Sequence, residues 1–171
     1  IIANNTASNN DFGIHLYDSS NNTIANNTAS NNEEAGITLD SSSDNIIANN
    51  NISSNNDDGI IIHNSSDNTI ANNTVSSNNH WGIWLDYSSN NTIYLNNFIN
   101  NTDNVYSSSS TNIWNSTEKI TYTYNGSQHT NYLGNYWDDY TGSDANEDGI
   151  GDTPYSIEGD ADNYPLMQPF E

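Results

Sequence analysis

The chain has 171 residues, of which 32 % are hydrophobic, too few for a globule built around one central core. A single basic residue, Lys119, stands against 22 acidic ones for a net charge of −21, which excludes nucleic-acid phosphates and anionic membrane surfaces as partners. Cysteine is absent, so disulfides and thiolate metal sites are excluded, and no apolar run is long enough to cross a bilayer.

The chain opens at Ile1-Ile2-Ala3-Asn4-Asn5, which reads as the middle of a repeat. The expectation is a processed piece of a longer protein. Four glycine strands follow: Gly13-Ile14-His15-Leu16, Gly36-Ile37-Thr38-Leu39, Gly59-Ile60-Ile61-Ile62 and Gly82-Ile83-Trp84-Leu85, each 23 residues after the last. Ile24, Ile47, Ile70 and Ile93 recur with the same period. A fixed period of this length marks a solenoid.

Within one repeat, Ile37 and Leu39 alternate with Thr38 and Asp40, as in a strand with one buried face. Ser41 to Asn45 is a turn cluster, Ile47 begins a second strand, and Ile52 is the apolar centre of a third. Three short strands and three polar corners make a triangular coil. Stacked in parallel at about 4.8 Å, such coils predict an all-β, right-handed parallel β-helix of four to five coils over 1–115. The interior columns are Ile14/Ile37/Ile60/Ile83, Leu16/Leu39/Ile62/Leu85, Ile24/Ile47/Ile70/Ile93 with Ile2, and Ala7/Ala29/Ile52/Val75. Asn9, Asn32, Asn55 and Asn78, and separately Asn27, Asn50 and Asn73, are expected as inward asparagine ladders.

The period fails after Asn97, and Gly, Pro, aromatic and acidic residues concentrate from Tyr132 onward. Residues 116–171 are expected to cap the solenoid. Within them, Asp144, Asn146 and Asp148 stand at positions 1, 3 and 5 of a calcium-type loop, with Gly149 at 6, the Ile150 carbonyl at 7 and Asp152 at 9. Position 12 is Tyr155 rather than a bidentate Glu, so Glu158, Asp160, Asp162 or Asp138 would have to complete the shell. The expectation is structural Ca2+; an acidic solvated turn is the alternative.

The outward column His15/Thr38/Ile61/Trp84 and its neighbour Tyr17/Asp40/His63/Asp86 form a second candidate site. Tyr17, His63, Trp81 and Trp84 combine aromatic faces with acids and amides, which suits carbohydrate or protein contact. Ordinary outward residues are the alternative. The four histidines do not converge with one another in this reading, so no copper or zinc site is expected. Asp57-Asp58 and Asp138-Asp139 carry little information about glycoside hydrolysis, because acidic pairs are abundant. Ten glycosylation acceptor sequences begin at Asn4, Asn21, Asn26, Asn51, Asn64, Asn72, Asn90, Asn100, Asn115 and Asn125.

The repeat Asn22-Thr23-Ile24-Ala25-Asn26-Asn27 and the stretch Gly82 to Ile93 resemble the β-helix repeats of the family named for the periplasmic copper-binding protein of nitrous oxide reductase maturation. Tyr132 to Tyr140, Asp148 to Tyr155 and Asp162 to Leu166 resemble the closing module of archaeal, methanogen-like surface proteins. The resemblance implies a right-handed β-helix in an extracellular or cell-surface setting, within a superfamily linked to carbohydrate binding and sugar hydrolysis. The copper role is not expected to carry over. The resulting expectation is a non-enzymatic structural module of an envelope, surface layer or filament. Self-assembly would run through the N-terminal strand edge. A carbohydrate-binding module is the alternative, and a polysaccharide lyase or epimerase the third reading.

Overall fold

A computed structural model describes all 171 residues and shows a parallel β-helix of five coils with a C-terminal tail. The first coil holds β1 (Ile2–Ala3), β2 (Thr6–Ser8) and β3 (Ile14–Tyr17). The second holds β4 (Thr23–Ala25), β5 (Thr28–Ser30) and β6 (Ile37–Asp40), and the third β7 (Ile46–Ala48), β8 (Asn51–Ser53) and β9 (Ile60–His63). The fourth holds β10 (Thr69–Ala71), β11 (Thr74–Ser76) and β12 (Trp81–Asp86), and the fifth β13 (Thr92–Tyr94), β14 (Asn97–Ile99) and β15 (Asp103–Ser108). In the tail, β16 (Ile120–Tyr124) and β17 (Ser127–Asn131) form a hairpin, β18 (Tyr136–Trp137) is a short strand, and β19 (Tyr155–Ile157) and β20 (Asp160–Asp162) form a second hairpin.

Equivalent strands of successive coils pair in parallel and build three sheets. The register places Ile14 on Ile37, Ile37 on Ile60 and Ile60 on Ile83, and Ile2 on Ile24, as the period requires. Ala7, Ala29, Ile52 and Val75 stack likewise, and their column continues through Phe98 to Trp137 of β18. Side-chain volume thus rises from alanine to tryptophan along this column, with Val75 the one step down. At its end Phe98, Trp137 and Tyr155 stack face to face, each pair 4.5 Å apart, and close the core. The tail therefore shares the solenoid's hydrophobic core and adds a second small cluster of Leu95, Leu133, Ile150 and Leu166.

The recurring Asn-Asn pair has a split role. Asn26, Asn49 and Asn72 take left-handed backbone conformations, with φ of 56° to 58°, which Asn tolerates and which turns the corner. The next residue points inward. Asn27 donates from its backbone N and from Nδ2 to Asn50 Oδ1, at 2.9 and 3.0 Å. The same two bonds pass from Asn50 to Asn73, from Asn73 to Asn96 and from Asn96 to Asn135. Gly36 starts its strand where a Cβ would lie 2.4 Å from Ile52 Cγ2, so the corner has no room for a side chain.

The second asparagine ladder differs from the sequence expectation at its first member. Asn10, not Asn9, donates to Asn32. Coil two carries one extra residue between Asn32 and Gly36, so counting back from the glycine slips by one in the first coil. Asn9 instead takes the left-handed conformation at φ 58° and stays exposed. Two further ladders occupy the third corner: Ser19, Ser42, Ser65, Ser88 and Ser110, and Asn22, Asn45, Asn68, Asn91 and Asn112.

These asparagine ladders have a direction: each rung gives N–H groups to the next coil and receives them from the one before. Two of the three end on a carboxylate, an acceptor with no donors of its own, while the third passes from Asn78 to Asn101 and on to Asn104 Oδ1. Asn135 donates to Asp162 Oδ2 from its backbone N at 2.7 Å. Asp162 is fully buried and also accepts from Trp137 Nε1 at 3.0 Å and from the Tyr164 backbone N at 2.9 Å. The Asn112 ladder ends in the same manner on Asp160 Oδ2, at 2.8 Å. Gly134 makes this possible, since a Cβ there would collide with the Asp162 carboxylate.

Candidate functional site

The site grows out of strand alternation in the sheet of β3, β6, β9, β12 and β15. Ile83 and Leu85 point inward and are fully buried, which turns Trp84 and Asp86 outward. Trp84 stacks on His63 of the coil before, 6.1 Å between centroids and 29° between planes. On its other side it stacks on Tyr106 at 6.4 Å and 6°. Tyr106 also meets Trp81 at 5.2 Å, and Trp81 meets His80 at 5.0 Å. His63, Trp84 and Tyr106 thus form a row across three adjacent strands, with Trp81 and His80 flanking it. The row spans about 10 Å, two inter-strand spacings.

Three of the four contact residues expected from the sequence, His63, Trp81 and Trp84, are brought together here. Tyr17 is 65 % exposed but sits on β3, three strands from Trp84, where its ring meets His15. Sequence reasoning missed Tyr106. It continues the Trp84 column at a spacing of 22 rather than 23 residues.

His80 was also missed. It stands 23 residues after Asp57, on the same corner column, and its Nδ1 lies 3.1 Å from Asp57 Oδ1 and 3.0 Å from Asp58 Oδ1. The Asp58 side chain is only 7 % exposed, and its Oδ1 accepts the Trp81 backbone N at 2.9 Å. Burial pushes its carboxyl up to about 6, reinforced by Asp57 and opposed by the Trp81 N–H and by His80. His63 has a weaker version of this arrangement, with Nδ1 3.3 Å from Asp40 Oδ1. A concavity of about 520 Å³ lies on the tail between Tyr122, Tyr124, Leu166 and Phe170, and no residue of the row lines it.

The calcium expectation is corrected. The acidic loop uses its own oxygens as backbone acceptors. Asp144 receives the N–H groups of Asp148 and Gly149 at 3.0 and 2.8 Å. Asn146 Oδ1 receives Asp148 N at 3.2 Å, and Asp148 Oδ1 receives Ile150 N at 2.9 Å. Asp152 receives Ala145 N at 2.8 Å and Ser143 Oγ at 3.0 Å. Ile150 is paired with Leu166 in an antiparallel bridge. Of the carboxylates considered as completing ligands, Asp160 and Asp162 end the asparagine ladders, and Asp138 accepts from Asn104 Nδ2 at 2.9 Å. Of the ten glycosylation acceptors, nine are exposed; Asn115 is half-buried and donates to the Ser116 carbonyl at 2.8 Å.

Residues 1–142 match the family described as periplasmic copper-binding protein (NosD). The chain belongs to this family. Its description names copper, not calcium, which overturns the calcium assignment. Among solved structures, the chain is similar to a mutant of the periplasmic alginate epimerase AlgG, at 33 % identity and a TM-score of 0.60, over 62 % of this chain and 26 % of the epimerase. The unmutated AlgG aligns at 29 % identity with a TM-score of 0.47, over 60 % of this chain and 26 % of that one. The chain thus spans about a quarter of the epimerase's length. No curated protein matches the chain.

Copper in the family description calls for a test of the residues present. Cu(I) prefers sulfur ligands, and the chain has no Cys and a single Met, so Cu(I) does not fit. Cu(II) accepts imidazole and carboxylate. One group of three such side chains converges in the fold, Asp57, Asp58 and His80, with ligand atoms all within 4.8 Å of one another.

Proposed function

We propose that the chain is a non-catalytic β-helix module of the cell envelope that binds a neutral polysaccharide along the outer face of β9, β12 and β15. The row His63, Trp84 and Tyr106 carries this reading. Aromatic rings in line offer apolar area to the C–H groups of sugars, while Asp40, Asp86 and His63 offer hydrogen bonds at its rim. The periplasmic family description and the periplasmic epimerase neighbour support the envelope setting, and the neighbour's polysaccharide substrate supports the ligand class.

Charge selects among polysaccharides. A polyuronate such as alginate brings a carboxylate on every sugar, and a surface of net charge −21 with one lysine has nothing to neutralise it. A neutral glycan meets no such repulsion. Glycan-array screening followed by calorimetry tests this. Neutral oligosaccharides should be retained, and Trp84→Ala should weaken them about tenfold, roughly 1.4 kcal/mol. Preference for polyuronates, or unchanged affinity in Trp84→Ala, contradicts the reading.

A second reading, a sugar-converting enzyme, is favoured by one observation. Burial raises the Asp58 carboxyl to about 6 beside His80, toward the range where a general acid or base works best. It predicts turnover of a polysaccharide that Asp58→Asn abolishes.

A further inference from the structure

We propose that the sugar-binding face has a second aromatic end on the first coil, at Phe12, His15 and Tyr17. One neutral glycan of about five sugars then lies across the strands, along the solenoid axis, from β15 back to β3. This rests on the reading of the His63, Trp84 and Tyr106 row as a sugar site, and adds a direction, a length and a second anchor to it.

Register sets the direction. His15 pairs with Thr38, Thr38 with Ile61, Ile61 with Trp84 and Trp84 with Tyr106. His15 and Trp84 therefore stand in one column that crosses the sheet. A second column runs beside it through Tyr17, Asp40, His63 and Asp86. Aromatic side chains hold both ends of this pair of columns. At the β3 end, Phe12 meets His15 at 5.0 Å between centroids, and His15 meets Tyr17 edge-on at 6.5 Å. At the other end stand Trp84 and Tyr106. The strand direction is shorter: β6 and β9 have four residues each before a polar corner, about 13 Å, against about 19 Å across the five strands.

The ground between the two ends is low and uncharged. Thr38 is 5 % exposed although it points outward, and Ile61 is half-buried. No ring and no charge interrupts the first column there. Asp40 and His63 flank this dip in the second column, 3.3 Å apart. An apolar floor with a polar edge suits the C–H groups and the hydroxyls of a sugar chain. Length follows from spacing. A six-membered sugar ring with its linking oxygen is about as long as one inter-strand gap, so each strand takes about one sugar. The row on β9, β12 and β15 holds three, and β6 and β3 add two more.

Calorimetry with β-1,4-linked oligomers of glucose, mannose and N-acetylglucosamine, from two to six sugars, tests the proposal. In a series that binds, affinity should rise at least about tenfold from trimer to pentamer and level off at the hexamer. His15→Ala combined with Tyr17→Ala should remove that rise and leave trimer affinity unchanged. Both side chains are exposed, and unchanged circular dichroism separates contact loss from unfolding. Trp84→Ala should weaken every length. Equal affinity for trimer and pentamer, or a pentamer that binds the double variant as tightly as the wild-type protein, overturns the second end and leaves the Trp84 row standing. No binding in any series, or oligomers that bind Trp84→Ala unchanged, removes the row and its extension together.

Discussion

The coils and the tail solve the same problem with different residues. Within coils one to five, a buried asparagine both gives and receives hydrogen bonds, so each rung satisfies its neighbours on both sides. In the tail, where there is no next coil, aspartate takes the final position and only receives. A ladder made of one repeated side chain is self-consistent along its length but not at its end. The acidic tail is the chemistry of that ending.

The end should be the more sensitive of the two. Asp162→Ala leaves the N–H groups of Asn135, Tyr164 and the Trp137 indole without an acceptor in a buried setting. The expected loss, measured by urea unfolding, is on the order of 4 kcal/mol. Asn73→Ala breaks a middle rung and strands the Asn50 donors, but the coils on either side still pair through their backbones. About 3 kcal/mol should be lost there. Equal or reversed effects would remove the distinction between rung and end.

A smaller effect should appear with pH. Burial raises the Asp162 carboxyl from 3.8 to about 6, against the pull of its hydrogen bonds. Between those values the unfolded chain has released this proton and the folded one holds it, so stability falls as pH rises. The contribution is full below pH 3.8 and is lost through about pH 6. Melting temperature should decline from pH 4 to pH 7, by on the order of 2 kcal/mol in stability, and Asp162→Ala should lessen that decline, leaving the part due to Asp58, which burial also raises to about 6.

The solenoid was legible because its signal is a period. Interior columns such as Ile14 to Ile83 follow from counting 23 residues, whatever the local propensity. Where the count slips, reading fails by small steps: Asn9 stands in for Asn10, and Tyr106 is lost from the Trp84 column. Ser42 and Asn45, members of two further ladders, read as part of a turn, since inward and outward polar residues look alike in sequence. His80 was hidden for another reason: its partners lie one coil away, and only the same 23-residue count brings them together. The tail has no period to count. Its acids at alternating positions suit a cation, and they suit a run of backbone N–H groups as well, which they accept in the fold.

The most direct measurement is a crystal structure of the protein with a bound neutral oligosaccharide. Sugar rings should lie along Trp84 and Tyr106, with hydroxyl groups reaching Asp86 or His63. A glycan bound only in the groove beside Phe170, or none bound at millimolar concentration, would contradict the assignment of this face as the binding surface.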